Sequence, residues 1–235
     1  MVGFPSPWLV EIVALSGFDF VVLDAEHGFI DASAIEAMLN TANSNGMSVI
    51  ARAPNVPHEL QRVLDLGVEG ALVPHVQDAG EAKVATDSMR YPPEGRRGLA
   101  MTTRAARYGT KFPVREYLQQ ANEQILCCPM IETKSGVENI DAIAATAGVN
   151  LIMLGPGDLS VDLGHSGDRK HPDVQASCKK VIGSARAHGR WVGLAASDAE
   201  GARLAFQAGA DIAIVPATAM IASTSRDFVK QALNL

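Results

Sequence analysis

Residues 20–27 read FVVLDAEH (Phe20–His27): an apolar run that ends abruptly in Asp24, Glu26 and His27. A run buried on both faces that ends in groups able to carry charge or protons is what a parallel strand looks like where it leaves a core. The same pattern recurs along the chain. SVIA ends in Arg52, GALVP (Gly70–Pro74) in His75, ILCCPMI (Ile125–Ile131) in Glu132, and LIML (Leu151–Leu154) in GPGD with Asp158. WVGLA (Trp191–Ala195) and IAIVP (Ile212–Pro216) complete seven candidate strands. Between them, amphipathic stretches predict helices, among them Ala32–Asn43, Pro57–Leu66, Ala79–Ser88, Val137–Ala144 and Ala199–Gln207. Several stop at glycine or asparagine, as at Leu66-Gly67 and Ala208-Gly209.

Seven βα units in 235 residues predict a closed (β/α)8 TIM barrel, with the few residues before Ser6 as the eighth strand and residues 1–235 as one domain. The other architecture for such a pattern is a doubly wound open sheet. It is disfavoured because no GxGxxG fingerprint follows an early strand. Two segments break the rhythm. Tyr91–Pro113 is a long basic insertion, expected near the barrel mouth, where Arg96, Arg97, Arg104 and Arg107 would meet substrate or form subunit contacts. Pro156–Pro172 reads as a polar loop.

Twenty-six acidic residues against twenty basic ones give a net charge of −6, which argues against non-specific nucleic-acid binding. No apolar run approaches the roughly 20 residues that span a bilayer, and no signal-like segment opens the chain. The three cysteines, Cys127, Cys128 and Cys178, are odd in number and lack zinc-like spacing. They read as small hydrophobes in a reducing compartment, and the expectation is a cytoplasmic protein.

In a parallel barrel the strand C-termini share one face, and active sites lie there. Asp24, Glu26, His27, Arg52, His75, Glu132 and Asp158 all fall on that rim. Glu132 and Asp158 are the metal candidates, as oxygen ligands suited to Mg2+, Mn2+ or Co2+. Either one alone would serve equally well at a helix start; the two on successive strands point to a metal. His27 is a candidate general base, since a free imidazole, with a pKa of roughly 6.5, suits proton transfer near neutrality, or it is a rim histidine bonded to Asp24 or Glu26. Arg52 would clamp a carboxylate or an enolate oxygen, or pair with a rim acid. His75 has no obvious partner in the sequence and reads as a secondary contact, while His58, His165, His171 and His188 read as surface or loop positions. No strand end carries a lysine, which counts against a Schiff-base route. The GPGD loop offers backbone N–H groups at a helix start.

The motifs DAEHG (Asp24–Gly28), ARAP (Ala51–Pro54), LVPHV (Leu72–Val76), RYPPEGRRG (Arg90–Gly98), MIET (Met130–Thr133) and GPGDLS (Gly155–Ser160) stand in one order along nearly the whole chain. Together they resemble the HpcH/HpaI aldolases, class II pyruvate aldolases of the 4-hydroxy-2-oxoheptanedioate aldolase type. The resemblance implies a barrel of the phosphoenolpyruvate/pyruvate superfamily, with its last helix swapped between neighbours in a homo-hexamer built as a trimer of dimers. It implies Glu132 and Asp158 as ligands of a divalent metal ion and His27 as the base. It further implies Arg52 as the enolate-stabilising arginine, Asp65 as the carboxylate that raises the histidine's basicity, and Met130, Gly157 and Asp158 as substrate contacts. The implied reaction cleaves 4-hydroxy-2-oxo acids reversibly to pyruvate, or a substituted pyruvate, and an aldehyde through a metal-bound enolate. A citrate-synthase-like enzyme or a CoA-ester lyase would use the same enolate; for the latter, 235 residues leave little room to bind the adenine end. Two departures stand out. Met130 occupies a position where some members have glutamine, and Asp65 ends a helix, which in a barrel lies at the face away from His27.

Overall fold

A computed structural model describes residues 1–233. Seven parallel strands lie in sequential order: β1 (Phe20–Asp24), β2 (Ser48–Arg52), β3 (Gly70–Val73), β4 (Leu126–Ile131), β5 (Leu151–Leu154), β6 (Trp191–Ala195) and β7 (Ile212–Ile214). The helices are α1 (Pro7–Leu15), α2 (Ala32–Ser44), α3 (Pro57–Asp65), α4 (Ala79–Met89), α5 (Val114–Gln124), α6 (Lys134–Glu138), α7 (Ile140–Ala145), α8 (Pro156–Asp162), α9 (Pro172–Ala187), α10 (Ala199–Gln207) and α11 (Ala217–Ala232). Strands β3 and β7 stop just short of Pro74 and Pro216, which have no N–H to give a ladder.

In the place of the expected eighth strand, Met1 and Val2 close the barrel. The Val2 amide donates to Val22 O (2.8 Å), and the Asp24 amide donates to Val2 O (2.9 Å). On the other side Met1 N donates to Val215 O (2.7 Å), and the Ala217 amide donates to Met1 O (2.8 Å). The result is a TIM barrel, as its sequence pattern predicts.

Helix starts are fixed by short polar caps. The side chains of Ser6, Asp31, Asp78, Thr133 and Asp198 each accept a hydrogen bond from a backbone amide in the first turn that follows. At Gly67, φ is +100°, the left-handed stop that ends α3 and sends the chain into β3. The predicted Val137–Ala144 helix is instead two short helices, α6 and α7, meeting at Asn139. The Pro156–Pro172 segment is not loop throughout: its first seven residues form α8, with Pro156 at the first helical position.

Two apolar layers hold the strands. Val21, Leu23, Val49, Ala51, Ala71 and Val73 face outward and pack under the helices. Val22, Ile50, Leu72, Cys128, Met130, Leu151, Met153 and Ile214 fill the interior. Strand side chains alternate faces, so the residues two positions beyond Val22, Ile50 and Met130 also point inward, at the top of the barrel. They are Asp24, Arg52 and Glu132.

The basic insertion lies elsewhere than expected. Helix α4 runs back down the barrel, so the chain after it packs beneath the strand N-termini, not at the mouth. There Arg97 Nη2 donates to Asp65 Oδ1 (2.7 Å), Arg104 Nη1 to Leu66 O (3.1 Å) and the Ala105 amide to Asp65 O (3.1 Å). Arg97, Arg104, Arg107 and Lys111 line a cavity of about 360 Å³ at this lower end.

Candidate active site

At the mouth, Arg52 is buried and gripped by acids. Its Nε donates to Asp24 Oδ1 (2.8 Å) and its Nη2 to Asp24 Oδ2 (2.6 Å), a bidentate pair. Glu26 Oε2 lies 3.3 Å from the same Nε. None of these contacts uses Nη1. Burial alone would push the Asp24 carboxyl up, but the Arg52 bonds and charge outweigh it and hold Asp24 below its ordinary range. The backbone amides of Glu26 and His27 also donate to Asp24 Oδ1 (3.2 Å each), so one carboxylate orients both the arginine and the turn carrying His27.

His27 itself is open to solvent, its side chain 68% exposed, with Nε2 3.8 Å from Glu26 Oε2. Across the mouth, Glu132 is 3% exposed. Its Oε1 accepts the His75 backbone N–H (2.8 Å) and lies 3.2 Å from His75 Nδ1. His75 sits in left-handed backbone (φ 54°), which turns that N–H toward the carboxylate. His75 Nε2 also lies 3.8 Å from Glu26 Oε1, so the residue with no visible partner in the sequence bridges two rim acids.

Glu132 is pressed against the start of α8. A methyl group placed on Gly155 would lie 2.8 Å from Glu132 Oε2, so any side chain there would displace the Glu132 carboxylate. Burial pushes the Glu132 carboxyl above its usual range, opposed by His75 and reinforced by the charges of Asp158 and Glu26. Glu132, with the charges of Asp158 and Glu26 acting on it, supplies carboxylate oxygens of the kind a hard divalent cation takes. Asp158 stands exposed in the first turn of α8, beside Gly157.

The remaining expected residues separate from this cluster. Met130 is buried in the barrel interior, two positions below Glu132, and contributes floor rather than a polar contact. Arg169 lies over Gly157, its Nη2 3.2 Å from where a Cβ would be. Asp65 is at the lower end of the barrel, bonded to Arg97, and within one chain it does not join His27. The sequence names Asp24 and Glu26 as rim acids and His75 as a secondary contact. The structure makes the first two partners of Arg52 and the third the partner of Glu132, and it adds Gly155 beside Glu132. Strand alternation alone places Asp24 on the inward face; the left-handed turn at His75 has no sequence signal.

A parallel barrel whose inward rim ends in a clamped arginine and a buried carboxylate has the architecture of an enzyme, with its site at the strand C-termini. The HpcH/HpaI aldolase/citrate lyase family matches residues 2–223, and the chain belongs to it. It is 40% identical over 211 residues, 89% of this chain and 81% of the other, to a 5-keto-4-deoxy-D-glucarate aldolase of Salmonella paratyphi A. Its fold is similar to that of an HpcH/HpaI aldolase from Desulfitobacterium hafniense (32% identity, TM-score 0.91, 100% of this chain and 93% of the other). It is also similar to that of a citrate synthase, SbnG (28% identity, TM-score 0.86, 100% of this chain and 94% of the other). The chain is a carbon–carbon lyase of the aldolase kind.

Proposed function

We propose that this aldolase reversibly cleaves a 4-hydroxy-2-oxo acid to pyruvate, or a substituted pyruvate, and an aldehyde. The observation that carries the reading is the mouth itself: Arg52 clamped by Asp24, buried Glu132 on β4, and His27 open to solvent beside Glu26. The substrate named for the 40% identical relative supports it. Numbered from its keto end, 5-keto-4-deoxy-D-glucarate is a 4-hydroxy-2-oxo acid with a second carboxylate.

Glu132 and Asp158 would hold a divalent cation, Mg2+, Mn2+ or Co2+. When bound, such an ion supplies Lewis-acid polarisation of the 2-oxo group. Arg52 presents its Nη1 N–H groups to the oxygen on which negative charge develops, and Asp24 and Glu26 keep it from reorienting during the reaction. His27 takes the proton of the 4-hydroxyl. The C3–C4 bond then breaks, its electron pair passing to C3 to leave the enolate of pyruvate, and the aldehyde departs. Protonation at C3 gives pyruvate. Gly157 and Asp158 border the substrate, and Met130 closes the space beneath it.

A homo-hexamer with α11 swapped onto a neighbour belongs to the same reading. In support, α11 buries only Ala217, while its Phe228 is 72% exposed and Trp8 on α1 is 82% exposed. Asp65 would then reach His27 only from a neighbouring subunit. A cytoplasmic location agrees with three free, buried cysteines; no helix among the described residues is long and apolar enough to cross a membrane. The likeness to a citrate synthase favours a second reading, in which the same enolate adds to a different acceptor.

The test is pyruvate release from a racemic 4-hydroxy-2-oxo acid, coupled to lactate dehydrogenase. It is run on chelator-treated protein with and without Mg2+, Mn2+ or Co2+, beside Glu132→Ala. Cation-dependent release that the substitution abolishes is the expected result. Release that survives both chelation and Glu132→Ala overturns the mechanism, and no release in any condition favours the synthase reading.

A further inference from the structure

A second set of metal-ligating side chains lies outside the rim. The loop after α8 returns on itself, with the His165 amide donating to Ser160 O (2.7 Å), the Asp168 amide to His165 O (2.9 Å) and the His171 amide to Asp168 O (3.2 Å). The turn stacks the His165 and His171 rings with centroids 3.4 Å apart and planes 17° from parallel. One carboxylate oxygen, Asp173 Oδ2 at the start of α9, faces both rings, 3.0 Å from His165 Nε2 and 3.6 Å from His171 Nδ1. One ligand atom from each of the three residues falls within 4.8 Å of the other two.

We propose that His165, His171 and Asp173 bind a divalent transition-metal ion of the Zn2+ class at a site separate from Glu132 and Asp158. The donor chemistry separates the two. The rim offers carboxylate oxygens for a hard cation, whereas two imidazoles with one carboxylate form the mixed N/O set that zinc prefers. Ligands about 2.0–2.1 Å from a tetrahedral ion lie about 3.4 Å from one another, so the three donor atoms are near enough. The stacked rings must turn until both lone pairs face the ion, and His171 Nδ1 must release the Asp173 amide it accepts (3.2 Å). Their partial exposure leaves room for that movement and for a water as fourth ligand. Asp173 supplies one negative charge, and the neutral imidazoles supply lone pairs without desolvating a further charge.

The placement gives the ion a task. Arg169 sits in the loop between the two histidines and lies over Gly157, while Gln175 Nε2 on α9 donates to Arg169 O (2.7 Å). An ion joining His165 to the start of α9 would fasten the segment that carries Arg169 to the mouth.

The experiment is a Zn2+ titration, by competition with a chromogenic chelator, of the full chain after chelator treatment and in excess Mg2+. Wild type and Glu132→Gln are compared with His165→Gln/His171→Gln in both backgrounds. The expected result is one Zn2+ per chain that persists in Glu132→Gln and is weakened about a hundredfold or more by the double histidine substitution, since even an outer partner of a ligand is worth about ten- to a hundredfold. Because the readout is binding in a rim-disabled background, it stands or falls independently of the aldolase reaction. Unchanged Zn2+ affinity in a double variant with a native circular-dichroism spectrum overturns the proposal. If that variant does not fold, Asp173→Asn decides in its place: weakened binding supports the site, and unchanged binding overturns it. In a parallel titration, Co2+ bound at the site should give a visible absorption band that the histidine substitutions remove; a band that survives them overturns the proposal.

Discussion

Asp24 and Arg52 are register partners on adjacent strands, and their side chains meet side-on through two hydrogen bonds of 2.8 and 2.6 Å at the top of the barrel. The backbone pairing of β1 with β2 therefore fixes where the guanidinium points before any substrate arrives.

Breaking that pair should cost stability as well as rate. Removing one partner of a buried ion pair costs about 3–5 kcal/mol, and Glu26 at 3.3 Å keeps Asp24→Asn near the lower end. For a chain of this size that lowers Tm by about 6–12 °C. The pH dependence has a definite sign. Asp24 is held below its unfolded value of about 3.9, so its contribution is complete above about pH 4 and is lost as pH falls through the lower folded value. Urea unfolding between pH 3 and 7 should show wild type losing its advantage over Asp24→Asn at the acid end. An advantage that stays constant across that range would mean Asp24 is not the titrating group.

Gly155→Ala tests the seat of Glu132 with a single methyl group. The backbone φ of −107° accommodates alanine, so the conflict is with the Glu132 side chain, at Oε2 (2.8 Å) and Cβ (3.0 Å). The expected result is a native circular-dichroism spectrum with turnover lowered about a hundredfold, the scale of an ångström-level misplacement. Wild-type turnover would show that the carboxylate position is not critical.

Asp65→Asn separates two roles. If Asp65 partners His27 of a neighbouring copy, the substitution should shift the pH profile of kcat/KM as the histidine loses basicity. The measurement to compare is thermal stability, because Asp65 also anchors Arg97. A drop in Tm with an unmoved pH profile would leave Asp65 as an anchor alone.

The thiols should be silent in the native protein. Cys127 is buried, and burial pushes its thiol up to about 12; Cys128 and Cys178 are shifted in the same direction by the same cause. An aromatic disulfide reagent at pH 8 should therefore react with three thiols per chain in denaturant and with almost none in its absence. Rapid native labelling would show that the interior of the barrel opens readily.

Residues such as Val22, Ile50 and Leu151 announced the strands because a strand buried on both faces leaves a continuous apolar run. Asp24, Arg52 and Glu132 were legible as rim residues because they end such runs. The position of the 91–113 segment was not, since its arginines look alike whether they face a substrate or the foot of the barrel. Only the path of α4 decides that. Nor could sequence spacing foresee that His75 would bridge Glu132 and Glu26, which depends on a single backbone angle.

The two-residue closure gives the barrel a seam. Among the described residues, four main-chain hydrogen bonds through Met1 and Val2 join β1 to the chain at the end of β7, and one of them is donated by the Asp24 amide. Amide hydrogen exchange should therefore be fastest along that seam among the barrel strands, with the Asp24 and Ala217 amides exchanging ahead of those in β3 to β5. Each such opening would loosen the residue that aims Arg52, so local breathing at the edge of the barrel and readiness of the mouth for chemistry share one hinge.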